Sequence, residues 1–310
     1  MTSTFAERVR ALCVFVFAIL AVLSLAFAKP GAGQVGQTDQ YRQRSDEGAR
    51  LMKGAIDMHF HMDADPRCCG TIYDFRTAAE HGLRGLVIKN HNESTATLAD
   101  LLRMEIPNFQ IFGGIVMNLP NGGENPAAVD YMTTQIPGAP GKVVWMPAGD
   151  SEIESRLAAT TPSKPFVVVS RNGELTPETK AVIALVAKHD LILASGHIAP
   201  EEAMLVFAEG GRQGVKHMIA THAMDLSGKM TIDQMKQAVK LGATIEFDFR
   251  NVLSEGGRRA DAIRELGPEH CLISEFWTKM SQPKEYADMK AWANLSKRCT
   301  HEDSQTTSWM

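Results

Sequence analysis

The stretch AIDMHFH, residues 55–61, sets the interpretation of the whole chain. Its apolar residues outnumber its polar ones, which is typical of a strand buried on both faces. Side chains two apart on a strand point to the same face, so His59 and His61 should reach one point at its carboxyl end. We therefore interpret Ala55–His61 as the first strand of an α/β protein whose functional site lies at that end.

Seven further apolar runs follow, and helical stretches separate them. The eight candidate strands are Ala55–His61, Gly85–His91, Gln110–Asn118, Lys142–Pro147, Leu191–His197, Val215–His222, Ala243–Phe249 and Cys271–Phe276. Examples of the helical stretches are Ala96–Glu105, Pro126–Gln135, Pro200–Gly210, Thr231–Leu241 and Gly257–Leu266. This alternation predicts a (β/α)8 TIM barrel, and an open doubly wound sheet is the competing arrangement.

One segment does not fit the simple repeat. Phe166–Ser170 and Glu174-Leu175 flank an Asn-Gly pair, Asn172-Gly173, which favours the tight turn of a β-hairpin. We therefore expect a small hairpin excursion between strands four and five.

The chain begins with features of a secretory signal peptide over residues 1–28. Arg8 and Arg10 precede an uncharged apolar run, and Ala26-Phe27-Ala28 forms a small-x-small cleavage site. We expect a secreted or periplasmic protein with no stable membrane association after cleavage. An uncleaved membrane anchor is the alternative.

The remaining chain divides into three parts. Residues 29–50 are polar and lack apolar periodicity, so we expect a flexible linker there. The barrel should span residues 51–290, and residues 291–310 form a C-terminal tail. Export would permit a disulfide, for which Cys299 with Cys68 or Cys69 is the candidate pairing.

Composition excludes one class of partner. The 310 residues are 44% hydrophobic and 22% charged, with a formal net charge of −4 and no run of five basic residues. Nucleic acid is therefore not an expected partner. A small-molecule substrate is expected, and assembly into a homo-oligomer is left open.

Five of the ten histidines lie at the ends of predicted strands one, two, five and six. They are His59, His61, His91, His197 and His222. In a closed barrel these strand ends surround one mouth, which is where TIM-barrel active sites lie. Imidazole is a preferred ligand of zinc and similar divalent metals, so the five predict a metal site. The alternative is that each is an ordinary histidine in a strand.

Further candidates lie on other predicted strands. Glu275 ends an apolar strand, where a carboxylate is costly to bury unless it is paired or binds metal. It is a candidate ligand and a candidate base. Lys89 shares a face with His91 and is a candidate to stabilise an anion. Residues near strand ends are candidates for contacting substrate: Asn118, Trp145, Arg171 and Trp277.

Together these motifs resemble the amidohydrolase superfamily over roughly residues 51–290. The matching residues are His59 and His61, His197, His222, and position 275. The chain is most similar to an uncharacterised amidohydrolase-like group, through Lys89-Asn90-His91, the Gly196-His197 pair before a Glu-rich helix, and Thr221-His222. The resemblance implies a TIM barrel and metal-dependent hydrolysis.

Two positions depart from the superfamily pattern. Glu275 stands where the superfamily has Asp, and the predicted fourth strand, Lys142–Pro147, offers no bridging lysine or glutamate at its end. The resemblance therefore favours a single divalent ion, with zinc as first choice. Two ions, the second held by Lys89 and His91, are the alternative.

The expected activity is hydrolysis of a small-molecule ester, lactone, amide or phosphoester by a metal-activated water. Glu275 would take the proton, and Lys89 or the metal would stabilise the oxyanion. Three alternatives remain, namely a PHP-like phosphoesterase, a non-hydrolytic lyase such as a decarboxylase, and a degenerate protein that binds metal or ligand without turnover.

Overall fold

The computed structural model describes residues 52–62, 65, 70–158, 164–225, 229–254 and 257–275. Within them, eight parallel strands form one sheet in the order β1-β2-β3-β4-β7-β8-β9-β10. Their bounds are β1 Ile56–His61, β2 Gly85–Lys89, β3 Gln110–Val116, β4 Gly141–Trp145, β7 Ile192–Ala194, β8 His217–Ala220, β9 Ala243–Asp248 and β10 Cys271–Ser274. Each overlaps one predicted strand, and the (β/α)8 TIM barrel is confirmed.

Helices alternate with the strands along the chain. They are α1 Ile72–Glu80, α2 Ala96–Glu105, α3 Pro126–Thr134, α4 Glu152–Leu157, α5 Pro177–Lys188, α6 Pro200–Gln213, α7 Ile232–Lys240, α8 Phe249–Ser254 and α9 Arg258–Leu266. Short 3-10 turns add Leu119–Asn121 and Pro268–His270. Proline at the first turn suits α6, and a capping box between Thr231 and Gln234 begins α7.

Alternation along β2 shows how the sequence builds two apolar layers. Leu86 and Ile88 belong to the cluster that packs against α1 and α2. Val87 lies in a separate interior cluster with Trp145 of β4, and Lys89 lies over the ring of that tryptophan. Successive residues of a strand point to opposite faces, so an apolar run fills both layers. Lys89 is the one charged residue of β2, and it is fully buried in the barrel interior.

The barrel closes at a seam between β1 and β10, the two ends of the sheet. The carboxylate of Asp57 joins them, since its Oδ1 accepts the backbone N–H of Glu275 at 2.9 Å. The same oxygen accepts the N–H of His59 at 3.1 Å. A fully buried carboxylate therefore holds the strand of the first two histidines beside Glu275.

The predicted hairpin is present between β4 and β7. Its strands, β5 (Ser170–Arg171) and β6 (Glu174–Leu175), are antiparallel. Asn172 and Gly173 both have positive φ, 52° and 79°, as the Asn-Gly turn predicts.

Several sequence predictions concern residues outside the described ranges. They are the signal peptide, the linker, the C-terminal tail, Cys68, Cys69, Cys299 and Trp277. Cys271 is half-buried, and its Sγ donates a hydrogen bond to the carbonyl of Gly267 at 3.5 Å. Among the residues that the structure describes, none of the helices combines the length and apolar character needed to cross a membrane.

Candidate metal centre

Five imidazoles form a closed circuit at the carboxyl ends of the barrel strands. Successive ring centroids are 4.9 Å apart for His59 and His61, 4.9 Å for His61 and His91, and 6.3 Å for His91 and His197. The circuit closes through His197 to His222 at 5.8 Å, and from His222 back to His59 at 4.7 Å. All five are at most 7% exposed. The structure thus brings together the five histidines that the sequence singled out.

Strand β1 departs from regular pairing next to the first histidine. Its register against β2 shifts between Asp57 and Phe60, which indicates a bulge. Bulges are common beside functional sites because they re-aim a side chain. Here Nε2 of His59 lies 3.1 Å from Nε2 of His61, so the two rings converge as the spacing predicted.

The loops after β7 and β8 are hydrogen-bonded to each other, and they position His197 and His222. Ser195 Oγ accepts the N–H of Thr221 at 2.9 Å, and Thr221 Oγ1 accepts the N–H of Gly196 at 3.3 Å. Gly196 has a φ of +59°, and a Cβ there would lie 2.1 Å from the carbonyl oxygen of Met146. Only glycine fits that close approach, which fixes the turn into His197.

Buried carboxylates hold the outer nitrogens of three rings. Glu246 Oε1 lies 2.9 Å from Nδ1 of His59. Asp65 Oδ2 lies 3.0 Å from Nδ1 of His61 and 2.7 Å from Nδ1 of His91. An ionised carboxylate only accepts hydrogen bonds, so each of these Nδ1 atoms carries the hydrogen in its neutral ring. The corresponding Nε2 atoms then present lone pairs.

Glu275 closes the inner side of the cluster. Its Oε1 lies 3.0 Å from Nε2 of His222, 3.6 Å from that of His59 and 3.9 Å from that of His61. Both Glu275 and His222 adopt positive φ, 55° and 46°, which is uncommon for residues other than glycine. Such backbone strain gathers at functional sites, where the surrounding structure maintains it.

The imidazoles of this site are held mostly in their neutral form. Burial lowers the pKa of His59 and His61 below the ordinary value. Burial likewise lowers the pKa of His91 to about 4 and that of His197 to about 3. Burial also acts on His222, but the adjacent Glu275 carboxylate outweighs it and raises the pKa. A neutral imidazole is the form that binds metal.

Negative charge is in excess around these rings. Five carboxylates are buried here, namely Asp57, Asp65, Glu246, Asp248 and Glu275. In the part of the chain that the structure describes, Lys89 is the buried lysine among them. Burial opposes ionisation of Glu275, yet the neighbouring His59 and His222 keep its pKa well below the usual range. Buried charges of one sign require compensation, and divalent cations would supply it.

Four groups of side chains have ligand atoms close enough to hold an ion. Three share residues of one centre: His59, His61 and Glu275; His59, His222 and Glu246; His222, Asp248 and Glu275. The fourth is His61, Asp65 and His91. The donor set of imidazole and carboxylate suits zinc and similar divalent ions.

The remaining sequence candidates fall in different places. Trp145 lines the barrel interior, with its ring 5.9 Å from that of His59 and 5.4 Å from Nζ of Lys89. Asn118 is buried, but its amide donates to the carbonyl of His91 and accepts the N–H of Ala148. Its side chain therefore links neighbouring loops through hydrogen bonds to their backbone groups. Arg171 is exposed on the hairpin.

Sequence reasoning missed Asp65, Glu246 and Asp248. A signal for Glu246 and Asp248 was available, because both are acidic residues within an otherwise largely apolar predicted strand, the pattern that singled out Glu275. Asp65 follows β1 in a loop, where no periodicity indicates the direction of a side chain.

Residues 54–246 match a family described as a family of unknown function (DUF6282). The match begins two residues before β1 and ends at Glu246 in β9. No curated protein sequence matches the chain.

Among solved structures, the chain is similar to an amidohydrolase, a decarboxylase and a lactonase. An amidohydrolase from Pseudomonas aeruginosa is 12% identical, with 73% of this chain and 75% of that one covered and a TM-score of 0.46. A 2,6-dihydroxybenzoate decarboxylase from Rhizobium is 11% identical (76% and 92%, TM-score 0.45). A mutant PTE-like lactonase from Deinococcus radiodurans is 15% identical (83% and 92%, TM-score 0.49). At these identities and TM-scores the likenesses carry no argument about chemistry, which must be inferred from this chain's own residues.

Proposed function

We propose that this chain, which belongs to the family of unknown function DUF6282, is a metal-dependent hydrolase acting on a small molecule. The expected scissile group is an ester, lactone, amide or phosphoester. The ligands would be His59, His61, His222 and Glu275, with His91 and His197 completing the circuit of rings.

One observation is the main support for the proposed metal site. The Nε2 atoms of His59 and His61 are 3.1 Å apart, and each ring has its Nδ1 against a carboxylate. Neither neutral ring then has a hydrogen on Nε2 to donate to the other, so two lone pairs face each other. A cation between them would turn this repulsion into attraction. Glu275 Oε1 lies within 3.9 Å of both atoms and adds negative charge at the same point.

We propose a single divalent ion, with zinc as first choice, since three of the four candidate groups share residues of one centre. Such an ion, when bound, would act as a Lewis acid that lowers the pKa of water and polarises the scissile group. The fourth group, His61 with Asp65 and His91, is where a second ion would bind if two are present, and Asp65 would then be a ligand instead of the acceptor of the two Nδ1–H groups.

The chain's own residues would carry out the proton transfer. Glu275 is ionised and buried at the centre of the cluster, so it would accept the proton of the attacking water. Lys89 extends from the barrel interior and would stabilise negative charge that develops on the substrate. The apolar ring of Trp145 lies beneath both Lys89 and His59 and would exclude bulk water from the floor of the site.

Turnover by metal-stripped and zinc-refilled protein tests this proposal. The substrate panel contains a lactone, an ester, an amide and a phosphoester, and the variant is Glu275→Gln. Glu269→Gln is the matched control, since Glu269 is exposed and precedes the strand that Glu275 follows. We expect turnover to require metal and to fall by roughly 10²- to 10⁴-fold in Glu275→Gln, with Glu269→Gln unchanged.

Two results would contradict it. Turnover that survives removal of all metal would exclude the mechanism. A protein that binds metal and hydrolyses no member of the panel would instead support a binding protein without turnover. Activity confined to the phosphoester, with more than one ion bound, would favour the PHP-like alternative.

A further inference from the structure

Asp65 lies in the loop after β1, four residues beyond His61, and contacts two histidines at once. Its Oδ2 is 3.0 Å from Nδ1 of His61 and 2.7 Å from Nδ1 of His91. Oδ1 is 3.0 Å from the same His91 nitrogen, and Oδ2 also accepts the backbone N–H of His91 at 3.0 Å. The carboxylate therefore ties the loop after β1 to the loop after β2.

These contacts constrain where each ring carries its hydrogen. A neutral imidazole has one N–H, and a carboxylate can only accept. Both rings must therefore place the hydrogen on Nδ1 and leave Nε2 with a lone pair. The rings of His61 and His91 also stack, with 9° between their planes and 4.9 Å between centroids. His91 Nε2 is buried and has no hydrogen-bond partner among the described residues.

We propose that Asp65 is a positioning residue that holds His61 and His91 in the same tautomer, so that both Nε2 atoms face one divalent cation. Asp65 is itself buried, and its oxygens are engaged by the two Nδ1 atoms. The inference rests on the proposed function only in naming a metal as the group that both Nε2 atoms face. It makes His91, beside His61, a proposed metal ligand.

Substitution by asparagine should break this arrangement in a specific way. In Asp65→Asn the new amide would keep one acceptor oxygen but would present an NH2 donor in place of the other. A donor facing an Nδ1–H is repulsive, so one of the two rings should move its hydrogen to Nε2. That ring would then lose the lone pair that binds metal. Asp65→Glu keeps two acceptor oxygens and should preserve both Nδ1–H tautomers.

Nitrogen-15 NMR of the metal-free protein tests the tautomers directly. Two-bond correlations from the ring carbons' hydrogens distinguish protonated from unprotonated nitrogens, at about pH 8 where imidazole is neutral. We expect Nδ1–H for His61 and His91 in the wild type and in Asp65→Glu, and Nε2–H for at least one of them in Asp65→Asn. Wild-type rings carrying the hydrogen on Nε2 would overturn the proposal, and so would an unchanged spectrum in Asp65→Asn.

Zinc affinity, measured by competition with a chelator, is the second readout. Loss of a carboxylate partner of a ligand histidine typically costs about 10- to 100-fold in metal affinity, and we expect that loss in Asp65→Asn. Asp130→Asn is the control, because Asp130 also lies beside a histidine, His189 at 3.4 Å, but its side chain is about half exposed. Equal affinity of Asp65→Asn and the control would overturn the proposal.

The two readouts separate this inference from the proposed function. If the wild type binds no zinc while both rings show Nδ1–H, the hydrolase proposal fails and the tautomer assignment stands. If zinc binds and supports turnover while the rings carry the hydrogen on Nε2, the role of Asp65 is refuted and the hydrolase proposal stands.

Discussion

Asp57 offers the sharpest test of how the barrel seam supports the site. Its Oδ1 accepts two buried backbone N–H groups, that of Glu275 at 2.9 Å and that of His59 at 3.1 Å. Asp57→Ala leaves both donors without this acceptor. Each buried unsatisfied group costs about 1 to 3 kcal/mol, so the free energy of unfolding should fall by about 2 to 6 kcal/mol. Asp57→Asn keeps one acceptor oxygen and should lose less than half as much.

Urea unfolding of the metal-free proteins measures these differences by linear extrapolation. Asp130→Ala is the control, since substitution of this half-exposed aspartate should change the free energy of unfolding by no more than about 0.5 kcal/mol. Zinc affinity should also fall in Asp57→Ala, because the same oxygen holds the backbone of both Glu275 and His59. An Asp57→Ala protein as stable as the control would refute this account of the seam.

Three further predictions follow from single contacts. Glu246→Gln should weaken zinc binding by about 10- to 100-fold in chelator competition, because it removes the carboxylate from a ligand imidazole; unchanged affinity would argue against this role. Burial and a neighbouring glutamate raise the pKa of Glu124 to about 8, so the folded state loses stability as pH rises from the unfolded pKa near 4.5 towards 8. Glu124→Gln should then gain roughly 2 to 4 kcal/mol of unfolding free energy over wild type at neutral pH, with the gain vanishing near pH 4; Glu201→Gln, at an exposed position, is the control in chemical unfolding. Gly196→Ala should lower the melting temperature and weaken zinc binding, because its Cβ would collide with the carbonyl oxygen of Met146. In Gly173→Ala the added Cβ meets nothing within 4 Å, so the free energy of unfolding should fall only by the roughly 1 to 2 kcal/mol that a positive φ costs. Equal losses of stability in the two variants would show that the collision at Gly196 does not matter.

The barrel and its ring of histidines could be predicted from sequence because two periodic signals agree. Apolar runs locate all eight strands, and closure of the sheet brings their carboxyl ends together. A histidine at such an end must therefore lie near the others, whatever the loops do. This reasoning succeeded for His91, His197 and His222, which are distant in sequence and neighbours in space.

The supporting carboxylates could not be predicted as readily. The direction of Asp65 depends on the path of a loop, which carries no periodic signal. The role of Glu246 depends on closure of the seam, where Ser274 of β10 donates to it. Asn118 was predicted to contact substrate from its place near a strand end, yet its amide binds backbone groups of neighbouring loops. Position at a strand end alone does not distinguish a side chain that lines the site from one that forms hydrogen bonds to neighbouring loops.

Metal content is the measurement closest to the central claim. Wild-type protein, His59→Ala and His270→Ala would each be stripped, refilled with zinc, dialysed and analysed for bound metal, with His270 as the half-exposed control. We predict that wild type and His270→Ala retain zinc and that His59→Ala loses it, because His59 lies within reach of His61, His222 and Glu275. Negligible metal in all three proteins, or equal retention by His59→Ala, would contradict the assignment of this cluster as a metal centre.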